Sequence, residues 1–315
     1  MADDGATAGV SGMLPIPSAG PRGLPIRAGA RRHVWPNGVR CVAAFTVDFD
    51  GTGNEKGRGI APVGVHSAGG YSARAGIPRV LSIFERHAIP ATFFVPGYDA
   101  ETTPEMVRTI VAGGHEVAAH GYVHEGFDLP PDEEERRLVH SHKVLSDLTG
   151  TAPLGWRSPG GKKSSITLPV LRDLGYLYDS SDKDYDQPYP AVVEGQPTTG
   201  MIEFPNATWS LDDAPFYVPG GATPLEMLEL WKGEFETIYN GSGFFMLTFH
   251  PRAGFGSGIP SRARVIERLI AYIRTFPEVE FVRLGDLARW CLDPAHGHLH
   301  TDNAHVADGW IGGRV

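Results

Sequence analysis

The chain has 315 residues, 41% of them hydrophobic, enough for one large α/β domain or two smaller ones around a substantial core. Its 28 Lys and Arg stand against 37 Asp and Glu, a net charge of −9. That is the wrong sign for phosphate-backbone binding, and with no basic stripe interleaved with aromatics it excludes nucleic acid as a partner. Only Cys41 and Cys291 are present, which excludes a disulfide framework and a cysteine zinc site and leaves both thiols as small buried apolar groups.

The N-terminus opens with acidic residues and builds no apolar core of the length a secretory signal needs. No run approaches a membrane span, so the expected location is the cytoplasm. Residues 1–35, rich in Gly, Pro, Ala and Arg, read as a partly disordered arm, and residues 293–315 as a similar tail. Between them short apolar runs alternate with amphipathic stretches. Val42–Val47, Ala91–Val95, Glu116–Ala119, a short piece near Leu154, Ile202–Phe204, Gly243–Phe249 and Val279–Val282 are predicted strands. Helices are predicted over Ala75–His87, Pro104–Ala112, Asp132–Leu148, Leu168–Leu174, Pro224–Tyr239 and Ser261–Arg274. The clearest is Asp132–Leu148, with Asp132 placed to cap, acids in the first turn, apolar Leu138, Val139, Leu145 and Leu148, and Gly150 as the stop. Repeated strand-then-helix order predicts a parallel α/β barrel or a doubly wound sheet, with the chemistry at the carboxyl ends of the strands.

The candidate site residues lie at those ends. Val42–Val47 closes in Asp48-Phe49-Asp50, two carboxylates on the rim of a buried strand with no cation adjacent in sequence, a costly place for charge unless a metal or proton chemistry uses it. Val117-Ala118-Ala119 ends in His120-Gly121-Tyr122-Val123-His124. Catalytic zinc takes three protein ligands from N and O donors and keeps a position for water, and Asp50, His120 and His124 supply that set. A rival group, His296, His298, His300 and His305, sits in the tail without a strand to hold it rigid. Three segments converge with the first set: Arg157-Ser158-Pro159-Gly160-Gly161, whose arginine can fork onto a carboxylate; His250-Pro251, delivered by an apolar strand to the same rim; and Asp179 in Tyr178-Asp179-Ser180-Ser181, which could orient an imidazole.

In that order these motifs resemble the polysaccharide deacetylases, the NodB-homology or carbohydrate esterase family 4 group, over roughly residues 36–292. The resemblance implies a distorted (β/α)7 barrel. It makes Asp48 the general base, Asp50, His120 and His124 the ligands of Zn2+ or another divalent ion such as Co2+, Arg157 the partner of Asp48, His250 the general acid and Asp179 its tether. A backbone N–H near Lys162 would help hold the oxyanion. Gly121 and Lys162 depart from the pattern of secreted members, and the long Gly51–Gly76 segment is an addition whose glycines would let it move as a lid, the alternative being that it builds a subunit interface. The His120-Gly121-Tyr122-Val123-His124 motif, the Trp209-Ser210-Leu211-Asp212-Asp213 segment and the expected lack of a secretory signal are similar to the cytoplasmic branch, which includes peptidoglycan-deacetylase-like proteins, allantoinase-like proteins and cyclic imidases.

The first expectation is therefore a metal-dependent N-deacetylase of an acetamido sugar or small N-acyl compound. The second is a cyclic amidase opening an imide or ureide ring. A binding module without catalysis is disfavoured because every motif position is filled. The partners expected are a small-molecule or short-oligosaccharide substrate and, from the two arms and the resemblance, other copies of the chain in a dimer or tetramer. Trp209, Phe216 and Tyr217 could build either a sugar platform or a closed imide pocket.

Overall fold

A computed structural model describes residues 35–125, 129–241 and 243–296. Its centre is β1, Cys41–Asp48, buried at every position. Along β1 the side chains alternate between two apolar clusters: Cys41, Ala43, Phe45 and Val47 pack outward against helices, whereas Val42 and Ala44 pack inward. Burial on both faces explains why the strand reads as a continuous apolar run, as parallel strands under helices do.

The other strands are β2 (Thr92–Val95), β3 (Glu116–Ala119), β4 (Gly155–Trp156), β5 (Tyr178–Asp179), β6 (Tyr189–Val193), β7 (Gln196–Glu203), β8 (Phe244–Phe249) and β9 (Val279–Phe281). They form one sheet in the order β6-β7-β5-β4-β3-β2-β1-β8, with β9 also paired to β1. Every ladder is parallel except β6 with β7. The sheet curls round the inner cluster of Val42, Ala44, Phe94, Ala118, Tyr178, Ile202, Phe204, Phe244 and Met246, and helices cover its outer face. This is the barrel class expected from the motifs. No ladder joins β8 to β6 or β7 among the described residues, so the barrel is open on that side.

Local sequence accounts for the covering helices. Ile77–His87 buries Ile77, Val80, Ile83 and Phe84 at helical spacing and stops at left-handed Ala88. Pro131–Thr149 starts one residue before the expected Asp132, with proline at its first position and Gly150 at φ 77° as the stop. Of its expected apolar face, Val139 is exposed. Pro224–Asn240 opens on a capping box between Thr223 and Glu226.

The β6–β7 hairpin and the helix Leu284–Leu292 are not among the elements expected from sequence. That helix carries Leu284, Leu287, Ala288 and Cys291 into the inner cluster and closes the amino end of the barrel. Trp35, placed in the arm, is also buried there, its ring 6.1 Å from that of Phe244. Both cysteines are buried, and burial pushes each thiol up to about 12. No helix among the described residues is long and apolar enough to cross a membrane.

Candidate active site

The inward row of β1 continues from Val42 and Ala44 through Thr46 to Asp48, and that of β8 from Phe244 and Met246 through Thr248 to His250. Register fixes the two rows side by side, with Thr46 opposite Thr248 and their hydroxyls 3.0 Å apart. A period of two therefore carries Asp48 and His250 to the same carboxyl-end rim. Their neighbours complete a cavity of ≈ 260 Å³ lined by Asp50, His120, His124, Arg157, Asn206 and Asp212, among others.

Asp48 is nearly fully buried and receives Arg157 Nη1 at 2.7 Å. Arg157 is satisfied on every side: Nη1 also donates to Thr46 Oγ1 at 3.0 Å, Nε to the Ser180 carbonyl at 3.1 Å and Nη2 to Ser180 Oγ at 2.9 Å. Its guanidinium lies 4.0 Å from the centre of the Phe94 ring. Burial alone would raise the Asp48 carboxyl, but Arg157 and the imidazoles of His120 and His250 overcome it and hold the group below the usual carboxylate range.

Asp50 and His124 both adopt left-handed backbone, at φ 35° and 55°, a conformation that non-glycine residues hold only where surrounding contacts enforce it. Ser72 Oγ and Arg252 Nη1 donate to the Asp50 carbonyl at 3.1 and 3.2 Å. His120 Nδ1 stands 2.8 Å from the Arg157 carbonyl, which can only accept, so Nδ1 carries a proton and Nε2 is the nitrogen turned toward Asp50. Nε2 of His120 and His124 lie 3.5 and 3.3 Å from Asp50 Oδ1. That oxygen is buried without a hydrogen-bond partner. An orphaned carboxylate oxygen facing two imidazole nitrogens is a donor set that fits Zn2+ or a similar divalent ion.

His250 is held from the other side. Its Nδ1 donates to Asp213 Oδ1 at 2.7 Å, and its backbone N–H donates to the same carboxylate at 3.1 Å. Burial opposes the charged ring, yet Asp213, Asp50 and Asp212 raise its pKa well above the ordinary histidine value. His250 Nε2 faces Asp48 Oδ2 at 3.9 Å and Asp50 Oδ2 at 3.8 Å.

The expected tether needs correction. Asp179 is fully buried, but it binds Lys163 Nζ at 2.6 Å and accepts from the Ser180 backbone and Ser181 Oγ. Lys163 also meets Asp182 at 2.7 Å and Glu203 at 3.6 Å, so Asp179 belongs to an ion cluster rather than to His250. Asp213 takes the tethering position because Leu211 and Asp212 run beside β8, with Thr248 N donating to the Leu211 carbonyl at 2.9 Å. That alignment comes from an isolated bridge, not from an apolar run that would flag a strand. The signal in sequence was the paired Asp212-Asp213 in the Trp209–Asp213 segment.

The lid expectation is also altered. Gly51–Gly76 folds into the helices Gly53–Gly57 and Ala68–Tyr71 and the π-turn Ser72–Gly76. A Cβ on Gly69 would strike the Gly51 carbonyl, and one on Gly76 the Pro251 carbonyl. These glycines serve close packing rather than hinge motion. Only Asn54 of the segment lines the cavity beyond Asp50 itself. Of the three expected aromatics, Trp209 is 77% exposed beside the lining residue Thr208, Phe216 is half-buried and Tyr217 is buried under Arg262; Phe255 is the aromatic in the lining. In the tail group, His296 stacks on Trp290, and His298, His300 and His305 lie outside the described residues.

Comparisons with known proteins agree with this geometry. The polysaccharide deacetylase family model matches residues 69–178, the stretch that carries His120, His124 and Arg157. A peptidoglycan deacetylase from Helicobacter pylori is 31% identical over 258 residues, covering 70% of this chain and 85% of the relative. A peptidoglycan deacetylase-like protein from Gibberella zeae is 30% identical over 313 residues, covering 85% of this chain and 88% of the relative. The crystal structure of PuuE allantoinase superposes with a TM-score of 0.73 at 25% identity over 86% of this chain and 94% of that one. With the H. pylori enzyme matched over most of its length and the fold and motif residues in place, the chain belongs to the polysaccharide deacetylase family.

Proposed function

We propose that this protein is a metal-dependent amide hydrolase that removes an acyl group from the nitrogen of an amino sugar or a similarly small N-acyl compound. The observation that carries the reading is the opposed pair of proton-transfer groups: Asp48 kept anionic by Arg157 and His250 kept cationic by Asp213, facing each other across Asp50, His120 and His124. A divalent cation held by Asp50, His120 and His124 would supply a Lewis acid for the acyl carbonyl and lower the pKa of water to about 7. Asp48 takes the proton of the attacking water as its oxygen bonds to the acyl carbon. Arg157 keeps Asp48 in the basic form and oriented. His250 gives its Nε2 proton to the departing nitrogen as the C–N bond breaks, and Asp213 keeps the ring charged until then. Base and acid thus approach one carbonyl from opposite sides.

A cavity of ≈ 260 Å³ favours one sugar unit or a small acyl compound in the reacting position, and exposed Trp209 follows the lining residue Thr208 in the chain. A second reading, hydrolysis of a cyclic imide or ureide by the same groups, is supported by the likeness to PuuE allantoinase and by the small size of the cavity. Rates with added zinc or cobalt on an N-acetylated sugar monomer, a short chitooligosaccharide, a cyclic imide and a long acetylated polymer test both. Turnover of the sugars supports the first reading and turnover of the imide alone the second. No hydrolysis of any amide by metal-loaded protein refutes both.

A further inference from the structure

We infer that Asn54 sets the tautomer of His124, and so primes the metal triad; this positioning role rests on the metal reading above. For an imidazole to ligate through Nε2, that nitrogen must hold the lone pair and Nδ1 must hold the proton. His120 is committed to this form by the Arg157 carbonyl. At His124 a side-chain amide stands beside Nδ1: Asn54 Nδ2 lies 3.1 Å from it.

An asparagine amide is ambivalent, because a half-turn about its terminal bond exchanges a donating nitrogen for an accepting oxygen. With Nδ2 toward the ring, Nδ1 accepts and the proton sits on Nε2, the nitrogen that lies 3.3 Å from Asp50 Oδ1. With Oδ1 toward the ring, Nδ1–H donates and Nε2 is free to ligate. One side chain therefore satisfies His124 both before and after a cation enters, and the exchange requires a rotation instead of a buried unpaired N–H.

Asn54 is held in place for this. It lies in the helix Gly53–Gly57 directly after the Asp48–Asp50 motif. Asp99 accepts the backbone N–H groups of Gly51 and Gly53 at 3.2 and 3.0 Å. Glu55 pairs with Arg252, which also donates to the Gly51 carbonyl at 2.9 Å. A Cβ on Gly57 would stand 2.7 Å from the Val123 carbonyl, so the helix packs directly on the strained turn that presents His124. The segment expected to be a lid is, on this reading, the outer support of the metal site.

The test is zinc affinity of the full chain, stripped of metal and titrated in competition with a chromophoric chelator. Asn54→Ala is expected to bind zinc about 10- to 100-fold more weakly, the usual loss when the group behind a ligating histidine is removed. Asn54→Asp, which can only accept, is expected to bind at least as tightly as wild type, and long-range 1H–15N spectra of its metal-free form should show the His124 proton on Nδ1. Near-UV circular dichroism checks the fold, and Asn54→Ser, too short to reach the ring, replaces the alanine variant should that one not fold. An Asn54→Ala affinity within twofold of wild type, or an Asn54→Asp loss equal to that of Asn54→Ala, overturns the inference alone. Wild-type protein that binds neither zinc nor cobalt overturns the metal reading and this inference together.

Discussion

Asp213→Asn changes one charge and almost no volume, and it separates the observed tether from the one read in the sequence. Asp213 is fully buried and makes a 2.7 Å charge-assisted bond to His250 Nδ1, with a second bond from the His250 backbone. Such a bond contributes about 1.5–3 kcal/mol, which at 1.36 kcal/mol per unit is about one to two pKa units. The sign follows from the direction of the shift. His250 lies above its ordinary value because of Asp213, so neutralising Asp213 brings its deprotonation to lower pH.

The alkaline limb of the kcat/KM profile should therefore move to lower pH by about one to two units. Turnover at its optimum should fall by about a hundredfold, the usual worth of a positioned proton-transfer group. The assay is hydrolysis of whichever small amide the metal-loaded protein accepts, followed from pH 6 to 10 with circular dichroism as the fold control. Asp179→Asn is the comparison: Asp179 binds Lys163, so this variant should lose about 1–3 kcal/mol of stability and leave the limb where it was. An unmoved limb in Asp213→Asn, or an equal displacement in Asp179→Asn, would refute the assignment of the tether.

Other expectations follow from the same contacts. Asp50→Ala and His120→Ala should lose stoichiometric zinc in metal analysis, whereas Asp48→Asn should keep the metal and lose at least about a hundredfold in kcat. Arg157→Met leaves the buried Asp48 carboxylate without its cation, so urea unfolding should show a loss of about 3–5 kcal/mol; a loss below about 1 kcal/mol, the level of a surface ion pair, would contradict the burial argument. His115 packs 5.5 Å from the rings of both Phe84 and Phe93, and burial, with help from Arg283, lowers it to about 4. Because the unfolded chain takes up that proton first, near pH 6.5, stability is lost as pH falls from there towards 4, by about 2 kcal/mol between pH 7 and 5. His115→Phe should remove that part of the acid sensitivity in urea titrations at the two pH values.

The fold was legible where a strand is buried on both faces. Val42–Val47 and Gly243–Phe249 are apolar at nearly every position, and their carboxyl ends carry Asp48 and His250. The β6–β7 hairpin was not, because Gln196–Gly200 is largely exposed and polar and shows no buried alternation until Met201. The helix Leu284–Leu292 is short and follows β9 closely, so its apolar residues continue a strand signal instead of announcing a new period. The inward row of each strand holds the deeper regularity: Val42, Ala44, Thr46, Asp48 and Phe244, Met246, Thr248, His250 pass from apolar through hydroxyl to ionisable as they near the rim.

That gradient explains why the proposed reacting groups are legible in sequence and their partners are not. A catalytic side chain at a strand end inherits its direction from the strand's period of two, so its position follows once the strand is recognised. A group that orients it comes from whichever segment tertiary packing lays alongside. Arg157 was within reach of a sequence argument because it follows β4, itself a strand of the sheet. Asp213 was not, because an isolated bridge beside β8 places it, and Asp179, at a true strand end, was the more legible carboxylate but met Lys163 first. Gly51–Gly76 is less legible for the related reason that glycine composition is compatible with both a hinge and a close contact. At Gly57 and Gly76 the Val123 and Pro251 carbonyls leave no room for a Cβ, whereas Gly59, Gly64 and Gly70 have open space at that position.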